Sequence, residues 1–427
     1  MYKRLFSLIT ILALPVLGLV AVSCSDDDND TPAPSPKEQW SKTLKGNGEE
    51  LGAYPDLYSN YWEYTYNLKD HKDKILCFKG KFPHCRYFSF SLYNDMTGDA
   101  IGGIDDRNIT PDPGCENPFE KTVSGEHTFT VYVVPSTVDE QTVNKLGLQN
   151  ICRVDANAER VAICVRQYLG TNPTGTEQDE YGGVDLPAIS AIDVNTLKDT
   201  EVPEHVASNI DKVTSKVFTQ RSDEFSTVPF FKAPVSRYYP NNSTTYLYAR
   251  THLRPDSVLV FSFIPAPYPT KAEEYESAVT RYWSICLGSC ADTRSYYSIC
   301  DKDAKFTPGS KSTFVVCLKN NPRFAEVKAK VDNMNNAGDR VNLFIWDSEK
   351  RNIDNNPLGE VFVVMYRNIL PNASWEHSIA NMEPTAYKDA TGEPIDHVTD
   401  PYKQIAHKAL GDYGPLGMKY STEDFLK

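Results

Sequence analysis

Two arginines and two aspartates occupy matched places in this 427-residue chain. Arg86 precedes Tyr87, Phe88 and Ser89, Arg281 precedes Tyr282, Trp283 and Ser284, and Asp106 and Asp301 each follow twenty residues after their arginine. Guanidinium forks, carboxylates and aromatic faces are the materials of an anion or sugar site. They are equally the materials of an Arg–Asp brace that ties a loop between strands above an aromatic core. Recurrence favours the brace, because a duplicated scaffold needs the same ties whether or not either copy binds anything.

Other chemistry is thinner. The acidic neighbours Asp105 with Asp106 and Glu273 with Glu274 could supply the two carboxylates of a glycoside hydrolase, which stand ~5–10 Å apart. A chain with 57 acidic residues makes such neighbours by composition alone. The eight histidines sit in no recognisable serine and aspartate setting, and the GxSxG elbow is absent. Neither HExxH nor paired CxxC knuckles occur, so no metal is expected. No nucleotide loop, haem motif or DxDxDG calcium loop asks for a cofactor. Aromatic residues crowd instead: Tyr268, Tyr275, Tyr282, Trp283, Tyr296 and Tyr297 fall within about thirty residues. Such rings suit sugar faces or protein partners, since they bind apolar surface while keeping a polar tip. Tyr268 and Tyr275 are expected to be the exposed members. The ligand-binding candidates are therefore Tyr268, Tyr275, Arg281, Trp283 and Asp301.

The elements that would position these residues form an internal repeat. Residues 86–114 align with 281–309 without a gap at an offset of 195, matching Pro113-Gly114 to Pro308-Gly309. Upstream, 72–82 matches 254–264, and Tyr64 and Tyr66 match Tyr246 and Tyr248. The second copy then carries an insertion, PYPTKAEEYESAV, before Arg281, whereas the first copy has the longer connection before HTFTVYV, the counterpart of STFVVCL. Short runs of Val, Ile, Phe, Tyr and Trp predict strands at 60–67, 75–80, 86–93, 127–134, 161–169, 245–250, 257–264, 281–287, 295–300, 313–318, 341–347 and 361–370. Helices are expected only at 137–148, 192–218, 271–279, 323–333 and 400–410. The fold class is mainly β: two homologous antiparallel β-sandwich-like domains with peripheral helices. Residues 51–172 make the first domain, 173–223 an interdomain connection too long for a bare linker, 224–380 the second domain, and 381–427 a C-terminal segment packed on both. On 281–287, Tyr282, Ser284 and Cys286 face one way and Trp283, Ile285 and Leu287 the other, with apolar groups on both sides. A central strand with one face in a core and the other covered by a loop or the sister domain explains this pattern.

These residues resemble an uncharacterised family of secreted bacterial proteins with Arg-Tyr-Trp-Ser motifs. The resemblance rests on Arg281–Cys286, Cys300–Asp301, Pro308-Gly309, Thr313–Cys317 and Tyr366–Pro371, together with DEYGGVDLP at 179–187 and GDYGPLGMKY at 411–420. It spans nearly the whole mature chain and implies a two-repeat β-rich fold, but supplies no catalytic set.

The N-terminus has Lys3 and Arg4, then an apolar run, then Ala21-Val22-Ser23-Cys24. Residues 1–23 read as a secretory signal. The last four resemble the bacterial lipobox, which makes Cys24 the lipidated first residue, and the following Ser25-Asp26-Asp27-Asp28 resembles the acidic export tag of Bacteroidetes surface lipoproteins. An outer-membrane lipoprotein exposed at the cell surface is expected, held by lipid and a flexible acidic tether over 24–50. A net charge of −13 gives no electrostatic reason to seek phosphate backbones, so nucleic acid is excluded as a partner. Beyond Cys24 there are nine cysteines. Outside the cytoplasm they can pair, and Cys286 with Cys300 is the expected disulfide, with Cys290 the rival partner. Asp256-Ser257-Val258 resembles a short Bacteroidetes O-glycosylation acceptor, which makes Ser257 a modification candidate. Taken together, a non-catalytic glycan- or peptide-binding lipoprotein is favoured over a secreted glycan hydrolase, with a structural or assembly role as the third reading.

Overall fold

The computed structural model describes residues 35–41, 53–210, 227–232, 239–352, 354–384 and 405–427. Cys24, the expected signal segment and most of the expected tether lie outside these residues. In the first half the strands are β1 (Ser59–Tyr66), β2 (Lys74–Lys81), β3 (Tyr87–Asn94), β4 (Ala100–Asp105), β5 (Thr128–Pro135), β6 (Ile151–Val154), β7 (Val161–Tyr168), β8 (Ala188–Asp193) and β9 (Lys198–Thr200). In the second half they are β10 (Thr227–Pro229), β11 (Phe231–Lys232), β12 (Thr244–His252), β13 (Ser257–Phe263), β14 (Tyr282–Ser289), β15 (Ser295–Cys300), β16 (Ser312–Leu318), β17 (Val341–Trp346), β18 (Val361–Ile369) and β19 (Leu416–Ser421).

Each half is a two-sheet sandwich, and the strand orders match. The sheet β1-β7-β3-β4 corresponds to β12-β18-β14-β15, and β6-β5-β2-β8 corresponds to β17-β16-β13-β19. Pairing is antiparallel except for one parallel pair per half, β5 with β6 and β16 with β17. A helical crossover permits each parallel pair: α1 (Glu140–Leu146) in the first half and α2 (Phe324–Asn336) in the second. Asp139 caps α1 by accepting from Thr142 N at 2.7 Å, and Gly147 ends it at φ 63°. Both helices lie on the outer faces, with Val143 beside Ile75 and Val134, and Val327 and Val331 beside Val258 and Val315.

The two strand faces explain the continuous apolar runs. On β7, Val161, Ile163 and Val165 enter the core of the first sandwich, while Ala162, Cys164 and Tyr168 enter a separate layer shared with Tyr282, Cys300 and Ile369. On β14, Trp283, Ile285 and Leu287 enter the core of the second sandwich and Tyr282 the shared layer. The inner sheets of the two halves therefore pack face to face, and the sister half covers the second face of β14.

Several expectations shift. Tyr61, not Tyr64, is the counterpart of Tyr246, since Tyr61 stands opposite Arg166 on β7 and Tyr246 opposite Arg367 on β18. The tyrosine-rich strand aligns plausibly in two registers by sequence, and only pairing resolves them. No helix forms over 192–209, where Asp193 accepts from Asn195 N and Thr196 N in the turn of the β8–β9 hairpin, while Ile210, the last described residue of the 192–218 stretch, is helical. The 271–279 stretch holds only a 3-10 turn, Ala272–Glu274, and the described part of 400–410 a short helix, Ala406–Leu410. β8 and β19 each complete an outer sheet, so 183–200 and 411–421 belong to the sandwiches rather than to a connection and a tail. Within the expected tether, Trp40 is buried, packs on Tyr64 and Phe78, and donates from Nε1 to Pro187 O at 2.8 Å.

Candidate functional site

The matched arginines and aspartates pair across the halves. Arg281 Nη1 lies 3.0 Å from Asp106 Oδ1, and Arg86 Nη1 lies 3.3 Å from Asp301 Oδ2. Each aspartate also accepts from the backbone N–H of its own inner strand, Asp106 from Phe88 and Asp301 from Trp283. The brace exists, but as an exchange between copies rather than a tie within one. Burial pushes both carboxyls up to about 6, against the pull of Arg281 on Asp106 and of Arg86 on Asp301.

The same exchange recurs deeper in the shared layer. Tyr87 donates to Asn241 Oδ1 at 3.0 Å and Tyr282 to Asp56 Oδ2 at 2.9 Å. Arg166 donates to Tyr239 O at 2.8 Å and Arg367 to Tyr54 O at 2.9 Å. Tyr54 and Tyr239 both hold left-handed backbone, φ 50° and 51°, which turns their carbonyls toward the opposing arginine. Each contact thus has a partner related by a pseudo-two-fold axis.

That symmetry breaks where the copies differ in length. The long connection of the first half brings Phe119 against Tyr275 of the second-half insertion, with ring centroids 6.5 Å apart, and Glu273 accepts from Thr122 N at 3.0 Å. Beside this contact a cavity of about 700 Å³ opens between the halves. Its walls include Tyr58, Ser59, Asn60, His84, Arg86 and Thr171 from the first half and Thr270, Tyr275 and Lys302 from the second. Neutral hydrogen-bonding groups, cations and rings converge there, in the manner of a ligand cleft.

Of the sequence candidates, Tyr275 lines the cleft and lays its ring over Arg281, with Cζ 4.0 Å from the ring centroid. Tyr268 covers Arg86 at 5.1 Å and packs on Phe306. Both tyrosines are half-buried rather than exposed, because each spends a face on a guanidinium. Arg281, Trp283 and Asp301 are buried and do not line the cleft. Trp283 Nε1 donates to Ala266 O at 2.9 Å, and its ring packs on Phe306 and Tyr366. Arg281 and Asp301 act on the cleft only through Tyr275 and Arg86. Among the cleft residues, Phe119, His84 and Lys302 carried no sequence signal, since loops from both halves bring them together.

The acidic neighbours serve structure. Asp106 faces Arg281, Asp105 pairs with Arg107 and accepts from Ser243 Oγ, and Glu274 accepts from Thr270 N. Cys85 borders the cleft, but burial and the nearby Asp106 hold its thiol well above the ordinary range. The expected Cys286–Cys300 disulfide is absent, both thiols being free. Register is the reason: Cys300 stands opposite Ser284 and Cys286 opposite Ser298, which separates the two cysteines along the diagonal. Cys290 is also free, and no described cysteine is paired. Ser257 begins the central strand β13 and donates to Asp256 Oδ1 at 3.2 Å, half-buried. Among the described residues no group of three His, Cys, Asp or Glu side chains is placed to hold a metal.

No family model matches the chain, and no curated protein matches it. It is similar to a solved structure of an uncharacterised protein from Burkholderia cenocepacia at 11% identity and TM-score 0.44, covering 78% of this chain and 79% of that one. A solved protein from Vibrio parahaemolyticus is similar at 10% identity and TM-score 0.38, covering 77% and 88%.

Proposed function

We propose that the chain is a cell-surface lipoprotein, anchored in the outer membrane through lipidated Cys24, whose interdomain cleft binds a glycan without transforming it. The observation that carries this reading is the cleft itself. It sits where the two copies depart from each other, between Phe119 of the longer first-half loop and Tyr275 of the second-half insertion. Asn60, Thr171 and Thr270 offer neutral hydrogen-bonding groups to hydroxyls, while Tyr58 and Tyr275 offer rings. The engagement of Asp105, Asp106, Glu273 and Glu274 in structural contacts removes the acidic neighbours from a hydrolytic role, which leaves Asp179 and Glu180 as the carboxylates that line the cleft.

A glycan and peptide array read with the mature chain tests the proposal, followed by product analysis of every positive. Saturable glycan binding that weakens at least about tenfold in Tyr275→Ala, with no product formed, is the expected result. Peptide-only binding would replace the ligand class, turnover would establish the hydrolase, and no binding to any ligand would leave an assembly role. For the anchor, metabolic lipid labelling lost in Cys24→Ser and protease shaving of intact cells are expected to agree; label retained in Cys24→Ser would reject it. An intact mass differing between wild type and Ser257→Ala by more than the missing oxygen would identify Ser257 as the glycosylated residue.

A further inference from the structure

Resting on the cleft-binding reading, we infer that the ligand carries a carboxylate, held by Arg86 and Lys302: the cleft takes an acidic glycan rather than a neutral one. Arg86 is mostly buried yet lines the cleft, and its hydrogen bonds to protein all leave from Nη1, to the two oxygens of Asp301 at 3.3 and 3.4 Å. Its side chain keeps 13% of its surface exposed, on the wall of the cleft. Tyr268 covers one face of the guanidinium, which fixes the plane and leaves an edge for a ligand. Such an edge matches the two oxygens of a carboxylate.

Lys302 is exposed on the opposite half and lines the same cleft, and His84 stands two residues before Arg86 on the wall. Arg86 and Lys302 therefore place two cations in the lining of the cleft, in a chain that is negative as a whole. Two carboxylates also border the cleft, Asp179 and Glu180, both on the loop after β7. Asp179 Oδ1 already accepts from Tyr181 N at 2.8 Å. Carboxylates are strong acceptors for sugar hydroxyls, so the cleft has an end suited to an acid and a wall suited to hydroxyls.

The test compares matched saccharides on the mature chain by titration calorimetry: oligogalacturonate against its methyl ester, and glucuronate-bearing oligomers against their glucose counterparts. Acidic members are expected to bind at least about tenfold tighter than neutral ones, with an advantage that shrinks as salt rises. Lys302→Ala, at an exposed position, is expected to weaken the acidic ligand about tenfold and the neutral one by less; Arg86→Lys keeps the charge facing Asp301 and tests the fork. Equal binding of acid and neutral members, or no effect of either variant, would overturn the inference while leaving glycan binding intact. Absence of binding by every saccharide would overturn both.

Discussion

At the scale of single residues, the pseudo-two-fold layer is symmetric in shape but not in charge. Asp56 and Asn241 occupy equivalent places, three residues before β1 and β12, and each accepts from a tyrosine of the other half. Asp56 Oδ2 also lies 3.6 Å from Arg367 Nε, whereas the equivalent Arg166 is surrounded by the Tyr239 carbonyl, the Tyr93 hydroxyl and the Tyr61 ring. Removing one member of a buried pair strands the other charge, so Asp56→Asn is expected to cost about 3–5 kcal/mol. Asn241→Asp, which gives Arg166 the same partner, is expected to cost less than about 1 kcal/mol or to stabilise. Equal losses in chemical denaturation would show that the two positions are not equivalent. A second buried group reports on pH. Burial pushes Glu63 up to about 7, opposed by the hydrogen bond from Thr65. The folded chain then keeps a proton that the unfolded chain releases, so the contribution is full at pH values below the unfolded pKa near 4.5 and is lost as pH rises through about 7. Glu63→Gln removes that titration. The variant should gain on wild type between pH 5 and pH 8 by up to roughly 3 kcal/mol, and a constant difference across that range would reject the assignment.

At the scale of elements, strand register decides what the cysteines can do. Cys286 accepts from Ser298 Oγ at 2.9 Å and Cys300 is buried in the shared layer, so reaching one another would need a shift of β15 along β14. Setting them opposite one another takes a shift of two residues, which keeps each side chain on its face but moves Ile299 and Tyr297 from their places opposite Ile285 and Leu287. The expected outcome is an unchanged melting temperature with and without reductant, and both thiols alkylated in the unfolded protein; a mapped Cys286–Cys300 peptide would contradict the register. The strands were legible because their β-branched and aromatic runs are bounded by turn residues, and the repeat exposed the strand equivalence. Register was not legible, because Tyr61, Tyr64 and Tyr66 on one strand offer competing alignments to Tyr246 and Tyr248. The beginning of the 192–218 stretch misled for a local reason: helix is broken there by the Asp193 turn and by Leu197 at φ 56°. Arg281 and Asp301 were visible as a pair of types, yet their pairing with Asp106 and Arg86 of the other half needs the packing of two sheets and could not be read from spacing.

At the scale of the whole molecule, the layers alternate: outer sheet, inner sheet, inner sheet, outer sheet, with an aromatic layer between the inner pair. Tyr61, Tyr87, Tyr93 and Tyr168 from the first half, and Tyr239 and Tyr282 from the second, bury their rings there, and the hydroxyls of Tyr87, Tyr93, Tyr239 and Tyr282 bond across it. A ring face that large, threaded with arginines, is poorly suited to water, so neither sandwich presents a surface of an independent domain. Cooperative unfolding follows, because separating the halves exposes the rings and strands Arg281, Arg367, Asp56 and Asp106 at once. One thermal transition is therefore expected for the mature chain, seen at the same temperature by calorimetry and by tyrosine fluorescence. Arg281→Met should lower that single midpoint, since it leaves Asp106 buried without its cation, and Arg281→Met with Asp106→Leu should recover most of the loss by making the contact apolar. Two resolved transitions in wild type, with only the second-half one moved by Arg281→Met, would mean that the tyrosine layer joins two separately stable sandwiches.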